Sequence, residues 1–143
     1  MNELTVSSCE LCDSAGEEPL WQDELCRVVL VEDRDYPGFC RVILNRHTKE
    51  MTDLDMETSQ RLMRVVFAAE RALRLVLQPA KINLASLGNM TPHLHWHIIP
   101  RFADDKHFPD SIWGEARRAG LPRSVDRHAL RCALLNELKA VSP

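Results

Sequence analysis

The chain has 143 residues, of which 45% are hydrophobic and 27% charged. That is the size and balance of one globular domain, able to bury about two-thirds of its unfolded surface. A formal net charge of −3 argues against a dedicated nucleic-acid surface, though not against a local basic pocket, and the longest strongly apolar runs, residues 28–31 and 65–69, are far too short to span a bilayer.

Residues 1–17 are polar and carry the pair Cys9-Glu-Leu-Cys12. Residues 1–10 lack a basic region followed by an apolar one, so they do not read as a secretory signal. The expectation is a cytoplasmic protein without membrane association, whose cysteines are reduced. Three of the five, Cys26, Cys40 and Cys132, are expected to serve as small core residues. Residues 20–23 and 26–31 read as short strands joined by a tight turn. The loop Asp33-Arg-Asp-Tyr-Pro37-Gly38 follows: proline fixes one dihedral and glycine permits a positive one. Residues 39–44 form a third strand with imperfect alternation, Arg41 standing outward among apolar neighbours.

Thr52 or Asp53 can cap a helix by offering an oxygen to unpaired amides at its start. The helix is predicted over 56–77, because Leu62, Val66, Ala69 and Leu73 recur at helical spacing, and Pro79 ends it. Residues 82–87 and 93–101 are strands flanking a turn, paired antiparallel in the simplest arrangement. Residues 102–122 are irregular, with Pro109, Gly114, Gly120 and Pro122. Ser124 can cap a last helix over 125–141, with Leu130, Leu134, Leu135 and Leu138 on its apolar side. The sum is one α+β domain over 1–143: an antiparallel sheet, one long helix packed on it, and a C-terminal helix in a tail from 102.

The segment His93-Leu-His95-Trp-His97-Ile-Ile carries the chemistry. On a strand it sets three imidazoles on one face and Leu94, Trp96 and Ile98 on the other. No ordinary core calls for that, whereas imidazole suits proton transfer, nucleophilic attack and metal binding near neutral pH. One ion for all three is disfavoured. Alternate strand residues lie about 6.6 Å apart, so the outer pair is about 13 Å apart, against a zinc–nitrogen bond of about 2.0–2.1 Å. An extended target, such as a phosphoryl group with its leaving group, fits the row better. Separately, Cys9-x-x-Cys12 is a moderate zinc signal, with a redox pair as its rival.

These residues resemble the histidine triad motif, His-x-His-x-His followed by two apolar residues. Val42-Ile-Leu-Asn-Arg-His47 before the long helix, then Asn83, then Gly88-Asn89 before the triad agree with it, so the resemblance spans about residues 9–114. It implies an α+β homodimer that hydrolyses or transfers nucleoside monophosphates from phosphoramidates, dinucleoside polyphosphates or related conjugates, here with a purine nucleotide as substrate. By the same resemblance His95 is the nucleophile and forms a nucleotidyl-histidine. His97 serves the phosphate and leaving-group side, and His93 orients the site or binds metal. Asn89 stands where many members have Gln, and Asn83 resembles a phosphate-side Asn; either is equally a turn former. Asp33, or its neighbour Glu32, resembles the acid that holds the ribose hydroxyls.

One bacterial branch of the family is similar at the N-terminus too, and there Cys9, Cys12, His47 and His93 correspond to a closed structural zinc site; catalysis itself needs no metal. The same branch carries a similar His-Phe-Pro…Trp-Gly ending, which in this chain reads His107-Phe-Pro-Asp-Ser-Ile-Trp113-Gly114. For His107 and Trp113 a surface or packing role is the expectation; by the resemblance, the alternative is that His107 reaches the leaving group and that Trp113 stacks near a base or seals the dimer. The chain departs from the family pattern at Phe39, where some members have histidine, and at Leu44 and Asn45, where proline is usual. Phe39 and Asn89 keep open a nucleotide-binding or interaction protein with vestigial catalysis. A metal-dependent hydrolase is disfavoured by the spacing argument.

Overall fold

The computed structural model describes residues 9–13 and 16–141. The segment expected over 1–17 is therefore described in part, with residues 1–8, 14 and 15 outside. The strands are β1 Trp21–Gln22, β2 Cys26–Leu30, β3 Cys40–Leu44, β4 Lys81–Ala85 and β5 His95–Arg101, and the helices are α1 Met56–Leu77 and α2 Arg127–Val141. The strands form one antiparallel sheet in the order β1-β2-β3-β5-β4. The α+β expectation holds. The connection through α1 carries the chain past a vacant position to the sheet edge, and β5 returns to fill the gap between β3 and β4.

Register decides which side chains share a face. Arg41 sits opposite His97 and Ile43 opposite His95; Arg27 sits opposite Ile43; Asn83 sits opposite Ile99 and Ala85 opposite His97. Cross-strand partners point the same way, so these residues form a front face. The back face presents Cys26, Val28, Cys40, Val42, Leu44, Ile82 and Ile98, all within the main apolar core with α1. Helix α1 contributes Leu62, Val65, Val66, Ala68, Ala69, Ala72 and Leu73 as buried residues. Leu130 and Leu134 of α2 close the core from the far side.

The helix starts differ from the sequence expectation. Glu50 and Asp53 cap a short 3-10 turn reciprocally, which occupies the Asp53 carboxylate expected to cap α1 and leaves Thr52 inside the turn. Asp55 caps α1 instead, accepting from the Thr58 amide at 2.7 Å. Likewise Asp126, rather than Ser124, accepts from the Ala129 amide at the start of α2. Helix α1 ends at Gln78 in a left-handed conformation, φ 50°, with Pro79 next. Its last turn packs over Gly38, φ 94°, where a Cβ would come within 2.5 Å of Leu77 Cδ1. The loop before β3 thus needs glycine for both its dihedral and its closeness to the helix.

Candidate active site

The three histidines do not form one row. The strand begins at His95, because the His93 amide bonds locally to the Thr91 carbonyl after Pro92. His95 and His97 alternate on the front face as expected, their ring centroids 4.8 Å apart. His93 instead turns its Nε2 to the Leu44 carbonyl at 2.5 Å and its Nδ1 to Cys9 and Cys12. The main chain fixes this arrangement, since the Leu44 amide bonds to the Leu94 carbonyl and the Leu94 amide to the Thr48 carbonyl. That pairing also brings His47 beside His93, with ring centroids 5.0 Å apart.

The ligand atoms of Cys9, Cys12, His47 and His93 all lie within 4.8 Å of one another. His93 Nδ1 is 3.4 Å from both Cys9 Sγ and Cys12 Sγ, and Cys12 Sγ is 3.3 Å from His47 Nδ1. Tetrahedral zinc, with bonds of about 2.3 Å to sulfur and about 2.0–2.1 Å to nitrogen, has S···N edges of about 3.6 Å. The four donors therefore fit such an ion. The hydrogen bond behind the ring fits as well: Nε2–H of His93 donates to the Leu44 carbonyl, which leaves Nδ1 as a lone pair toward the thiols. Arg27 anchors the cysteine segment, its Nε 2.6 Å from Glu17 and its Nη2 donating to the Leu11 carbonyl at 2.7 Å.

His95 Nδ1 lies 2.6 Å from the carbonyl of His93. A carbonyl only accepts, so Nδ1 carries the proton and Nε2 holds the lone pair. His95 and His97 line a cavity of about 390 Å³ with Glu10, Leu11, Arg41 and Trp113 and the 87–91 turn. His97 is wedged between rings: Phe39 at 5.6 Å, Trp113 at 5.1 Å and His95. Its Nδ1 is buried and has no partner among the described residues. Burial first, then the neighbouring His95 and Arg41, push its imidazolium down to about 4. His97 is thus neutral at pH 7.

The other expected residues scatter. Asn89 lines the cavity. Asn83 accepts from Arg101 Nη1 at 2.8 Å. The Asp33 carboxylate accepts from the Asp35 amide at 2.9 Å and lines an adjoining hollow with Glu32, which shares only Arg41 with the histidine cavity. His107 takes the packing role: it is buried, its Nδ1 2.6 Å from the Tyr36 hydroxyl. Both belong to a network around Asp105. That carboxylate accepts from Arg101 Nε at 2.8 Å, from Arg101 Nη2, from the Tyr36 hydroxyl and from the amides of Phe102, His107 and Phe108. Burial opposes its charge, but the Arg101 bond and the amides win and hold it well below the usual carboxylate range. Burial pushes the Tyr36 hydroxyl up to about 12. The network ties down the irregular segment that carries Trp113 to His97.

Of the cysteines, Cys26 and Cys40 are buried and their thiols pushed up to about 12 by burial, as inert core residues should be. Cys132 is a correction: it is exposed on α2, its Sγ 3.6 Å from His128 Nε2. Sequence reasoning also missed Arg41 and the apolar lip of Leu87 and Met90 as cavity residues. A signal existed for Arg41, a lone cation in an apolar strand.

The sequence profile of the HIT domain family matches residues 15–104. The chain belongs to the HIT family. Among curated proteins it is 31% identical over 84 residues to the AP-4-A phosphorylase of Mycobacterium tuberculosis, covering 54% of this chain and 43% of that one. It thus spans less than half the length of that relative. Among solved structures, the histidine triad protein blr8122 from Bradyrhizobium japonicum superposes with a TM-score of 0.68 at 29% identity, over 85% of this chain and 90% of that one. A Zn-bound histidine triad family protein from Mycobacterium smegmatis shares the fold with a TM-score of 0.65 at 24% identity, over 94% and 99% of the two chains. HIT members are nucleotide hydrolases or transferases, and among the described residues no helix is long and apolar enough to cross a membrane.

Proposed function

We propose that this HIT protein transfers a nucleoside monophosphate from a phosphoramidate or a dinucleoside polyphosphate, first to His95 and then to water. The observation that carries this reading is the 2.6 Å contact from His95 Nδ1 to the His93 carbonyl, which leaves Nε2 as a lone pair on the wall of the cavity. Nε2 attacks the α-phosphorus. The N–P bond forms, the bond to the leaving group breaks, and the leaving group departs with the electron pair and takes up a proton. The ring gains positive charge as it attacks, and the His93 carbonyl on Nδ1–H stabilises that charge. Water then cleaves the N–P bond and releases the monophosphate and the neutral ring.

His97 works as a neutral imidazole whose N–H donates to a phosphate or leaving-group oxygen, since burial keeps it unprotonated. Asn89 reaches phosphate from the cavity turn. Asp33 receives the ribose hydroxyls in the adjoining hollow, and Asn83 acts at one remove through Arg101. Cys9, Cys12, His47 and His93 hold zinc as a structural clamp on the N-terminal segment. No metal enters the chemical step. A homodimer in the cytoplasm completes the proposal.

The test is a base-stable adduct. Protein mixed with α-labelled diadenosine polyphosphate or adenosine 5′-phosphoramidate and quenched in alkali retains label in the wild type, and His95→Ala retains none. Equal behaviour of the two, or no monophosphate from fresh wild type, rejects the reading.

A further inference from the structure

Three arginines rise from the front face of the sheet, and they are in different electrical states. Arg27 is spent on Glu17 and the Leu11 carbonyl. Arg101 is spent on Asp105 and Asn83. Arg41 is half-buried and has no acidic partner among the described residues; its guanidinium carbon rests 5.9 Å from the centre of the Phe39 ring. Its Nε is buried without a hydrogen bond. Burying a guanidinium nitrogen unpaired is costly, and native structures normally reserve such groups for a ligand or water.

The position of Arg41 narrows the ligand. It lies directly across the β3–β5 pair from His97. It is also the one residue common to the cavity of His95 and His97 and the hollow of Glu32 and Asp33. A molecule spanning from the acids of the hollow to His95 passes Arg41 at the junction. Glu10, the acid on the cavity wall, makes no bond to it. A guanidinium can give two parallel N–H bonds to the oxygens of one phosphate.

We infer that Arg41 is a further phosphate-binding residue of this site, gripping non-bridging oxygens of the phosphoryl group that His95 attacks. This rests on the proposed function and deepens it. The site selects for a phosphate joined to a nucleoside, and Arg41 recognises the phosphate part. The same grip opposes the charge that gathers on those oxygens as the fifth bond to phosphorus forms.

The experiment is calorimetric titration of the intact, metal-bearing protein with adenosine and guanosine 5′-monophosphates and with the parent nucleosides. It uses wild type, Arg41→Leu and Arg41→Lys. Arg41→Leu is expected to weaken monophosphate binding at least tenfold and leave nucleoside binding within twofold. Arg41→Lys, which keeps the charge but loses the fork, is expected to fall between. Thermal melting of all three verifies folding, and should Arg41→Leu not fold, Arg41→Lys carries the comparison. If wild type binds and turns over nucleotide while the folded variants match it, the role of Arg41 fails and the hydrolase reading stands. If monophosphate and nucleoside affinities fall together, Arg41 is a packing residue and the inference is overturned. If wild type binds no monophosphate at all, both fail together.

Discussion

Replacing Asp105 by Asn removes the charge from the carboxylate at the centre of the tail network, which pairs with Arg101 and also accepts from the Tyr36 hydroxyl and three amides. Arg101 and Asp105 have side chains only 2% and 3% exposed. Asparagine keeps the shape and one acceptor oxygen, but it loses the charge and turns an N–H₂ donor toward a donor. The Arg101 charge then stays buried without its partner, which costs about 3–5 kcal/mol. Contacts that survive, to Asn83 and to the faces of Tyr36 and Phe108 at 5.6 and 5.7 Å, favour the lower end. For 143 residues the unfolding entropy is about 0.3 kcal/mol/K, so the melting temperature should drop by about 10 °C or more.

Asp35→Asn is the control, because its pair with Lys106 is 47% and 37% exposed and should be worth no more than about 1 kcal/mol. Differential scanning calorimetry reads both. The pH dependence follows from the sign of the shift. A carboxylate held below its unfolded value of about 3.9 adds stability at all pH above that value and loses it as pH falls through the folded pKa. Wild type and Asp105→Asn should therefore converge in stability at strongly acid pH. The same substitution should raise KM, since Trp113 loses the support of the segment that seats it against His97. An Asp105→Asn protein that melts within about 2 °C of wild type at neutral pH refutes the argument.

Two further outcomes are expected. The His97 ring, followed by NMR, should stay neutral from pH 7 down to about 5, because burial has moved its pKa to about 4. Its depressed value means that the folded state loses this contribution as pH drops from about 6.5 toward 4; a His97 midpoint near 6.5 contradicts the enclosure by Phe39 and Trp113. Freshly purified protein should carry one zinc per chain by native mass spectrometry. Cys9→Ser should lose most of that zinc and melt lower. Freshly purified wild type without zinc, together with a Cys9→Ser protein whose melting temperature is unchanged, removes the clamp.

Helix α1 was legible in the sequence, because a 3.6-residue apolar period and a following proline are local properties. So was the alternation that sets His95 and His97 on one face, and the Cys9-x-x-Cys12 spacing that marks a candidate metal pair. The caps were misread, although the residues are local, because Glu50 and Asp53 satisfy each other first and leave α1 to Asp55. Three things needed the tertiary structure. His93 leaves the row because its imidazole bonds to Leu44, 49 residues away, a contact that spacing on one strand does not encode. Asn83 and His107 are taken up by partners 18 and 71 residues distant, so their availability depended on which strands became neighbours. Arg41 is marked out only because Arg27 and Arg101 found acids and it did not. Residue type and period determine what a side chain can do, while the pairing of distant segments decides which of those capacities is left free at the site.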